Sequence, residues 1–397
     1  MTQHTVVIET CRPKTANEEV IAQVASMLAK LPGLDERLGQ AKRIFIKLNL
    51  GIKGGQTYKN RPIAYTDPAV YEGVATYLQG RTEADVLVGD GTDTLPPADA
   101  AREHGHMAVA DRMGHRFVDL HEPPFARFHV PEPAMFRWYD LSAELQDVDL
   151  FVSLAKMKSH HLCGVTLTMK NLFGLPPGPV YGSPRFMSLH SAVRLPRILA
   201  DLNGLFRPGL CLVDGIIGAN YMEWGGDPVT SGVLIAGDNP VATDATAARF
   251  MGVDPDAMRG TAPFLRADNH IRLAADLGLG STRTGDIDLV GDMPTQRRPY
   301  AVEGSAEPHT LAQAEAGRRA VCRQAQQYFE NRDHYVQAYA DEAIVMDGDK
   351  VVVHGPTGEV TWQATYEALD GDPVRFYGAF AKLVQEEEAE LREPYAV

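Results

Sequence analysis

The chain has 397 residues but few cysteines, and none of them are paired in sequence. Cys11, Cys163, Cys211 and Cys322 lie far apart and no C-x-x-C occurs. That spacing speaks against a zinc ribbon, and no iron–sulfur cluster is expected. No apolar run approaches the length of a membrane span. The start, MTQHTVVIETCRPKT, lacks the basic stretch and apolar core of a signal peptide, so the expectation is a cytoplasmic chain with no membrane partner. Positive charge is also scarce. Lys and Arg number 38 against 52 Asp and Glu, a formal net charge of −14, which argues against nonspecific nucleic-acid binding and against an anionic membrane surface. No Gly-x-x-x-x-Gly-Lys-[Ser/Thr] phosphate loop is present. With 44% hydrophobic and 23% charged residues, what remains is a globular chain, long enough for two domains or one large domain with an appendage.

The most informative stretch is DVDLFVSLAKMKSHHLCGVTLTMKNLFGLPPG, from Asp147 to Gly178. Val148, Leu150, Val152 and Leu154 form an apolar run suited to a buried parallel strand. Lys156, Lys158, Ser159, His160 and His161 follow, then a Gly164-to-Thr168 turn and Lys170-Asn171. Ligands in open α/β sheets bind at the carboxyl ends of strands. Val165, Leu167, Met169, Leu172 and Phe173 would pack this loop down and hold its polar groups in place. On an extended chain His160 and His161 point to opposite sides, so only one is expected to face the site.

Other strand ends add candidates. AKRIFIKLNLG closes on Lys47 and Asn49, a point charge and an orienting amide suited to a carboxylate or phosphate. GIKGGQTYKNRP reads as a glycine- and lysine-rich binding loop. Tyr65-Thr66-Asp67-Pro68 supplies a helix N-cap from Thr66 or Asp67. Gly89-Asp90-Gly91-Thr92-Asp93 is either a ligand loop or an Asx turn. A helix is expected from Ala98 to Met113, with His104 and His106 on different faces and at the surface. His190 opens a further helix, and Asp214 ends a strand. Asp244 lies inside a helix capped by Asp238 or Asn239. The boundary falls at about residue 300. Residues 1–300 form the core, and 301–397 an appendage with a helix near Leu311–Asn331, a hairpin turned by Asp347-Gly348-Asp349, and helices over about 361–369 and 373–391. Packing or homodimerisation is the modest reading of that appendage.

Lys158, His160 or His161, Gly164, Thr166, Lys170, Asn171 and Gly174, with Lys47-x-Asn49 upstream, resemble the signature of the DUF362 family, and the similarity runs from about Ala41 to Gly252. A more distant likeness is to the lactate racemase family. There a His ten residues before a Lys acts as acid/base, and the Lys carries a nickel-pincer cofactor; His160 and Lys170 have that spacing. Thr168-Met169-Lys170-Asn171 departs from the Gly-Gly-Arg-Lys-Ser context of those enzymes. The C-terminal hairpin resembles DUF5678.

The expected architecture is α/β, with mostly parallel Rossmann-like sheets flanked by helices in two linked lobes and a small α+β C-terminal appendage. The expected function is an enzyme acting on a small anionic metabolite, a carboxylate first, by metal- or cofactor-assisted acid/base chemistry. Racemisation or isomerisation is what the racemase likeness implies. Lys47, Asn49, Lys158, Thr166 and Asn171 would bind the anion. His160, His161 and Lys170 would move protons, Asp90 and Lys170 would contact a cofactor, and His190 with Asp214 would bind a divalent metal. The alternatives are a metal-dependent oxidoreductase or lyase of specialised biosynthesis, and an anion-binding module without turnover.

Overall fold

A computed structural model describes residues 3–51, 55–92, 96–182, 185, 188–223, 226–291, 293–294, 299–302 and 308–396. Lys53 of the glycine- and lysine-rich loop and Asp93 of the Gly-Asp-Gly-Thr-Asp run lie outside the described residues.

The apolar runs become strands: β1 (His4–Thr10), β2 (Arg43–Lys47), β3 (Asp85–Asp90), β4 (Arg116–Asp119), β5 (Leu150–His160), β6 (Gly164–Thr166), β7 (Leu210–Asn220), β8 (Asp227–Val229), β9 (Val233–Gly237) and β10 (Ile287–Val290). They make one continuous ten-stranded sheet in the order β10-β1-β9-β7-β5-β2-β3-β4. The five strands from β4 to β7 are mutually parallel, whereas β9 runs antiparallel to both β7 and β1. β6 and β8 fold back antiparallel on the ends of β5 and β7.

Alternation explains why the sheet is covered on both faces. In β2, Ile44 and Ile46 join a core built with the helices Asn17–Leu28 and Pro68–Leu78, while Phe45 joins the opposite core with helix Arg194–Phe206. Asp67 caps helix Pro68–Leu78 through Ala69 N, and Asn239 caps helix Pro240–Phe250 through Ala242 N. Among the described residues no helix is long and apolar enough to cross a membrane.

Three local expectations are corrected. The helix expected over Ala98–Met113 is two helices, Pro97–Glu103 and His106–Met113, broken at Gly105, whose φ is +86°. His104 and His106 are buried rather than at the surface. His104 stacks on Tyr65 at 3.7 Å between ring centres, and His106 Nε2 meets the Thr66 carbonyl at 2.8 Å. At the C-terminus, the helix expected over 373–391 stops at Gly378. Phe380–Leu383 instead forms a strand that pairs antiparallel with Ala343–Asp347 and completes a three-stranded sheet with Lys350–Gly355. Gly378 ends the helix, and burial of Phe380 favours the strand.

This C-terminal region shares its interior with the main sheet. Val321, Tyr328, Ile344, Met346 and Phe380 belong to the same apolar cluster as Phe45, Leu87 and Ile198. Arg194 and Glu390, both almost fully buried, pair through Nε–Oε1 at 2.5 Å and Nη2–Oε2 at 3.1 Å.

Candidate functional site

β5 is buried along its whole length and delivers Lys156, Lys158 and His160 to one side by strand alternation. Lys156 forms a fully buried ion pair with Asp214, Nζ to Oδ2 2.9 Å, and Asp214 also accepts the amides of Asp67 and Ile216. The structure therefore commits Asp214 to Lys156 and two backbone amides rather than to a metal shared with His190. Lys158 Nζ donates to the Ala64 carbonyl at 2.8 Å and to Asn49 Oδ1 at 3.2 Å, which joins two of the expected anion-binding groups. Burial, with no ion-pair partner at hydrogen-bond distance among the described residues, lowers its pKa to about 7. Thr166 sits opposite Lys158 in the β5–β6 register, and its buried hydroxyl finds no partner among the described residues.

Lys47, Asp90 and Asn171 form a buried interlock. Lys47 Nζ donates to Asp90 and to the Leu48 carbonyl, and Asp90 accepts the Leu50 and Gly91 amides. The Asn171 amide donates to the carbonyls of Lys47 and Leu154 and to Ser153 Oγ. Gly174 completes this packing, because a Cβ there would lie 2.5 Å from Asp90 Oδ1 and 2.6 Å from Lys47 Nζ. The expected ligand and cofactor roles of Lys47, Asp90 and Asn171 give way to a structural one: their polar atoms are spent on each other and on the backbone. Asp244 is likewise a brace, accepting from Thr168 N, Thr168 Oγ1 and Met169 N at the start of the helix Thr168–Asn171. Burial nevertheless raises its pKa to about 7.

The chemistry gathers at the end of β5. His160 and His161 stack with ring centres 4.9 Å apart and both approach Glu223, so the expectation that only one could face the site is corrected. The strand ends at His160, and the chain turns before the second ring is placed. His161 Nδ1 lies 3.0 and 3.2 Å from the two Glu223 oxygens, and His160 Nε2 lies 3.5 Å from Oε1. His190 does not open a helix; it precedes helix Arg194–Phe206, and its Nε2 is 3.3 Å from His160 Nε2. The Leu162 and Cys163 amides donate to His160 Nδ1 at 3.1 and 3.3 Å. A neutral His160 must then carry its proton on Nε2, aimed at Glu223 and His190. Burial, reinforced by the charge of Lys170, pushes His160 and His190 well below the ordinary imidazole range. Burial acts to raise Glu223, but the adjoining imidazoles outweigh it and keep the carboxylate ionised. Lys170 stands partly exposed beside this group, Nζ 4.5 Å from the Phe173 ring centre.

His161 and His190 line a cavity of about 210 Å³ whose far wall comes from the C-terminal region. Arg266 and Arg318 line it too. Arg266 Nη1 donates to the His161 carbonyl at 2.9 Å. Arg318 lies 3.6 Å from Asp268, which is already held by Arg197 at 2.8 Å and Arg259 at 3.0 Å. Arg318 Nη1 is buried and meets no acceptor among the described residues. Three arginines, Arg197, Arg259 and Arg318, thus surround Asp268, Arg259 also pairs with Glu315, and Arg266 stands beside His161, so positive charge collects here in an acidic protein.

Sequence reasoning overlooked Glu223, Arg266 and Arg318. Glu223 had a signal, a lone acid among Tyr221, Met222 and Trp224 in a glycine-bearing loop. Arg318 had none, since it sits among charged residues of a long amphipathic helix.

The family model described as "Domain of unknown function (DUF362)" matches residues 44–249, just over half of the chain. The chain belongs to the DUF362 family. Within the matched region lie all the signature residues discussed above, from Lys47 to Asp244, as well as Glu223; Arg266 and Arg318 fall outside it. The chain is also similar to the thylakoid-associated protein sll1697 of Synechocystis, 26% identical over 259 residues, which covers 64% of this chain and 75% of that protein. No solved structure gives a significant match.

Proposed function

We propose that this DUF362 protein is an enzyme that moves a proton on a small carboxylate, by acid/base chemistry centred on His160, His161, His190 and Glu223. The observation that carries this reading is one arrangement: an ionised, nearly buried carboxylate contacting two imidazoles, with a third 3.3 Å further on, opening onto a cavity flanked by Arg266 and Arg318. Each part has a physical role. Arg318, with a donor to spare, binds the ligand's carboxylate. His161, the more exposed ring of the stacked pair, exchanges the substrate proton, and Glu223 stabilises the imidazolium that results. His160, its tautomer fixed by the Leu162 and Cys163 amides, keeps its Nε2 proton directed at Glu223 and His190 and so orients the carboxylate beside His161. Removal and return of a proton next to a carboxylate is isomerase-type chemistry.

A divalent ion is the other group that these donors bring to mind. His160, His161 and Glu223 offer atoms within 4.8 Å of one another. With its Nδ1 accepting two amides, however, His160 has a proton rather than a lone pair on Nε2, so this donor set does not fit a His160-bound metal. The decisive assay follows deuterium from D₂O into a panel of α-substituted carboxylates, using wild type, Glu223→Gln and His161→Asn. Exchange in wild type that drops at least tenfold in both variants supports the reading. Exchange that is unchanged in Glu223→Gln refutes it.

A further inference from the structure

We infer that the ligand of this cavity is an amphiphile, a carboxylate joined to an apolar body, and that the C-terminal region is the wall that selects the body. The inference rests on the acid/base reading only for which end of the ligand reacts. The cavity has two kinds of wall. His161, His190, Arg266 and Arg318 lie on its polar side, while Leu162, Val321, Val374, Phe376, Tyr377 and Phe380 make an apolar one. A site for a bare anion such as acetate has no use for that much apolar surface.

Room on the apolar side comes from small residues on one face of the helix Pro308–Glu330. Ala314, Gly317 and Val321 recur at helical spacing and all line the cavity. A Cβ on Gly317 would sit in ordinary contact, 3.4 Å from the Tyr377 carbonyl, so a longer side chain there would take up the cavity's space. The size fits as well. An apolar cavity of about 150 Å³ accommodates benzene, so 210 Å³ takes on the order of eight heavy atoms. A six-carbon aliphatic acid or an aryl carboxylate has that bulk. At its mouth Val374 and Tyr377 are exposed, giving an apolar rim over which such a tail would pass.

The test is calorimetric binding of acetate, hexanoate, benzoate and hexanol to the full chain, in wild type, Gly317→Leu, Ala314→Leu, Arg318→Met and Glu223→Gln, each checked for folding by circular dichroism. Each buried methylene adds about fourfold in affinity, so wild type is expected to bind hexanoate and benzoate at least tenfold tighter than acetate. Either leucine variant should erase that preference without weakening acetate; the pair guards against one of them failing to fold. Arg318→Met should weaken all the carboxylates and leave hexanol unchanged. Equal affinity for acetate and hexanoate, or a preference that survives both leucine variants, overturns the inference. So does hexanol binding as tightly as hexanoate. Glu223→Gln separates the two readings: a tail preference retained there, with no proton exchange in wild type, refutes the acid/base chemistry and leaves the ligand class standing.

Discussion

Replacing Glu390 by Gln removes the charge that holds the C-terminal region against the core. In the wild type, Arg194 reaches Glu390 by two bonds, Lys382 Nζ lies 2.9 Å from Oε2, and Tyr395 donates to Oε1. Burial works to raise the Glu390 pKa, but Arg194 and Lys382 outweigh it and hold it down at about 2 instead of the usual 4.5. A depressed carboxylate contributes stability that is complete above the unfolded value and lost as pH falls toward the folded one. The window is therefore about pH 4.5 down to 2, and the linkage is worth about 3 kcal/mol. Breaking one side of a buried pair costs about 3–5 kcal/mol, because the other charge stays buried. With a urea slope of about 3 kcal/mol per molar or more for a chain of this size, the midpoint should fall by roughly 1 M. Arg194→Met with Glu390→Leu removes both charges. Lys382 keeps Glu388 at 2.7 Å, so the double variant should regain most of the loss. Urea unfolding of the three proteins (wild type, Glu390→Gln and the double variant) at pH 7, repeated at pH 3, measures all of this. A Glu390→Gln midpoint within about 0.2 M of wild type, under about 1 kcal/mol at that slope, would show that the ion pair does not couple the two regions.

Three further outcomes follow from the buried charges. Gly174→Ala drives a methyl into the Lys47–Asp90 pair and should cost about 1–3 kcal/mol; unchanged thermal stability would mean that the interlock has slack. Lys158, lowered to about 7, makes the native state shed a proton before the unfolded chain does, so wild-type stability should climb from pH 7 to 10 relative to Lys158→Met. Parallel stability curves over that range would refute it. Asp244 behaves in the opposite sense: raised to about 7, it makes wild-type stability fall between pH 4 and 7, and Asp244→Asn should remove that slope in denaturant titrations.

Local signals served well where one residue's chemistry decides the outcome. The helix starts at Thr66-Asp67 and Asp238-Asn239 and the buried β2 and β5 runs were legible in the residues themselves, though only the structure selects Asp67 and Asn239 as the caps. Partner choice was not. Lys47 at a strand end looks the same whether it faces a ligand or Asp90, and only the fold shows that Asp90 and Gly174 close around it. His104 and His106 read as surface residues because helical periodicity was extended through Gly105, where the chain breaks. Glu223 reaches the stacked histidines from about sixty residues beyond His161, and Arg318 reaches the cavity from more than fifty beyond Arg259, a convergence that local spacing cannot encode.

The wall of the cavity has a consequence for how the protein comes into being. Phe376 and Tyr377 of one helix and Phe380 of the strand that follows line it, and the ion pair beside that strand waits for Glu390. The family-matched segment ends at residue 249, so a nascent chain that has completed it holds His160, His190 and Glu223 but no closed chamber. The imidazole–carboxylate cluster and the wall of its cavity are thus separated in time along the ribosome's product. The cavity beside His161 and His190 lacks that wall until the C-terminal region has been made.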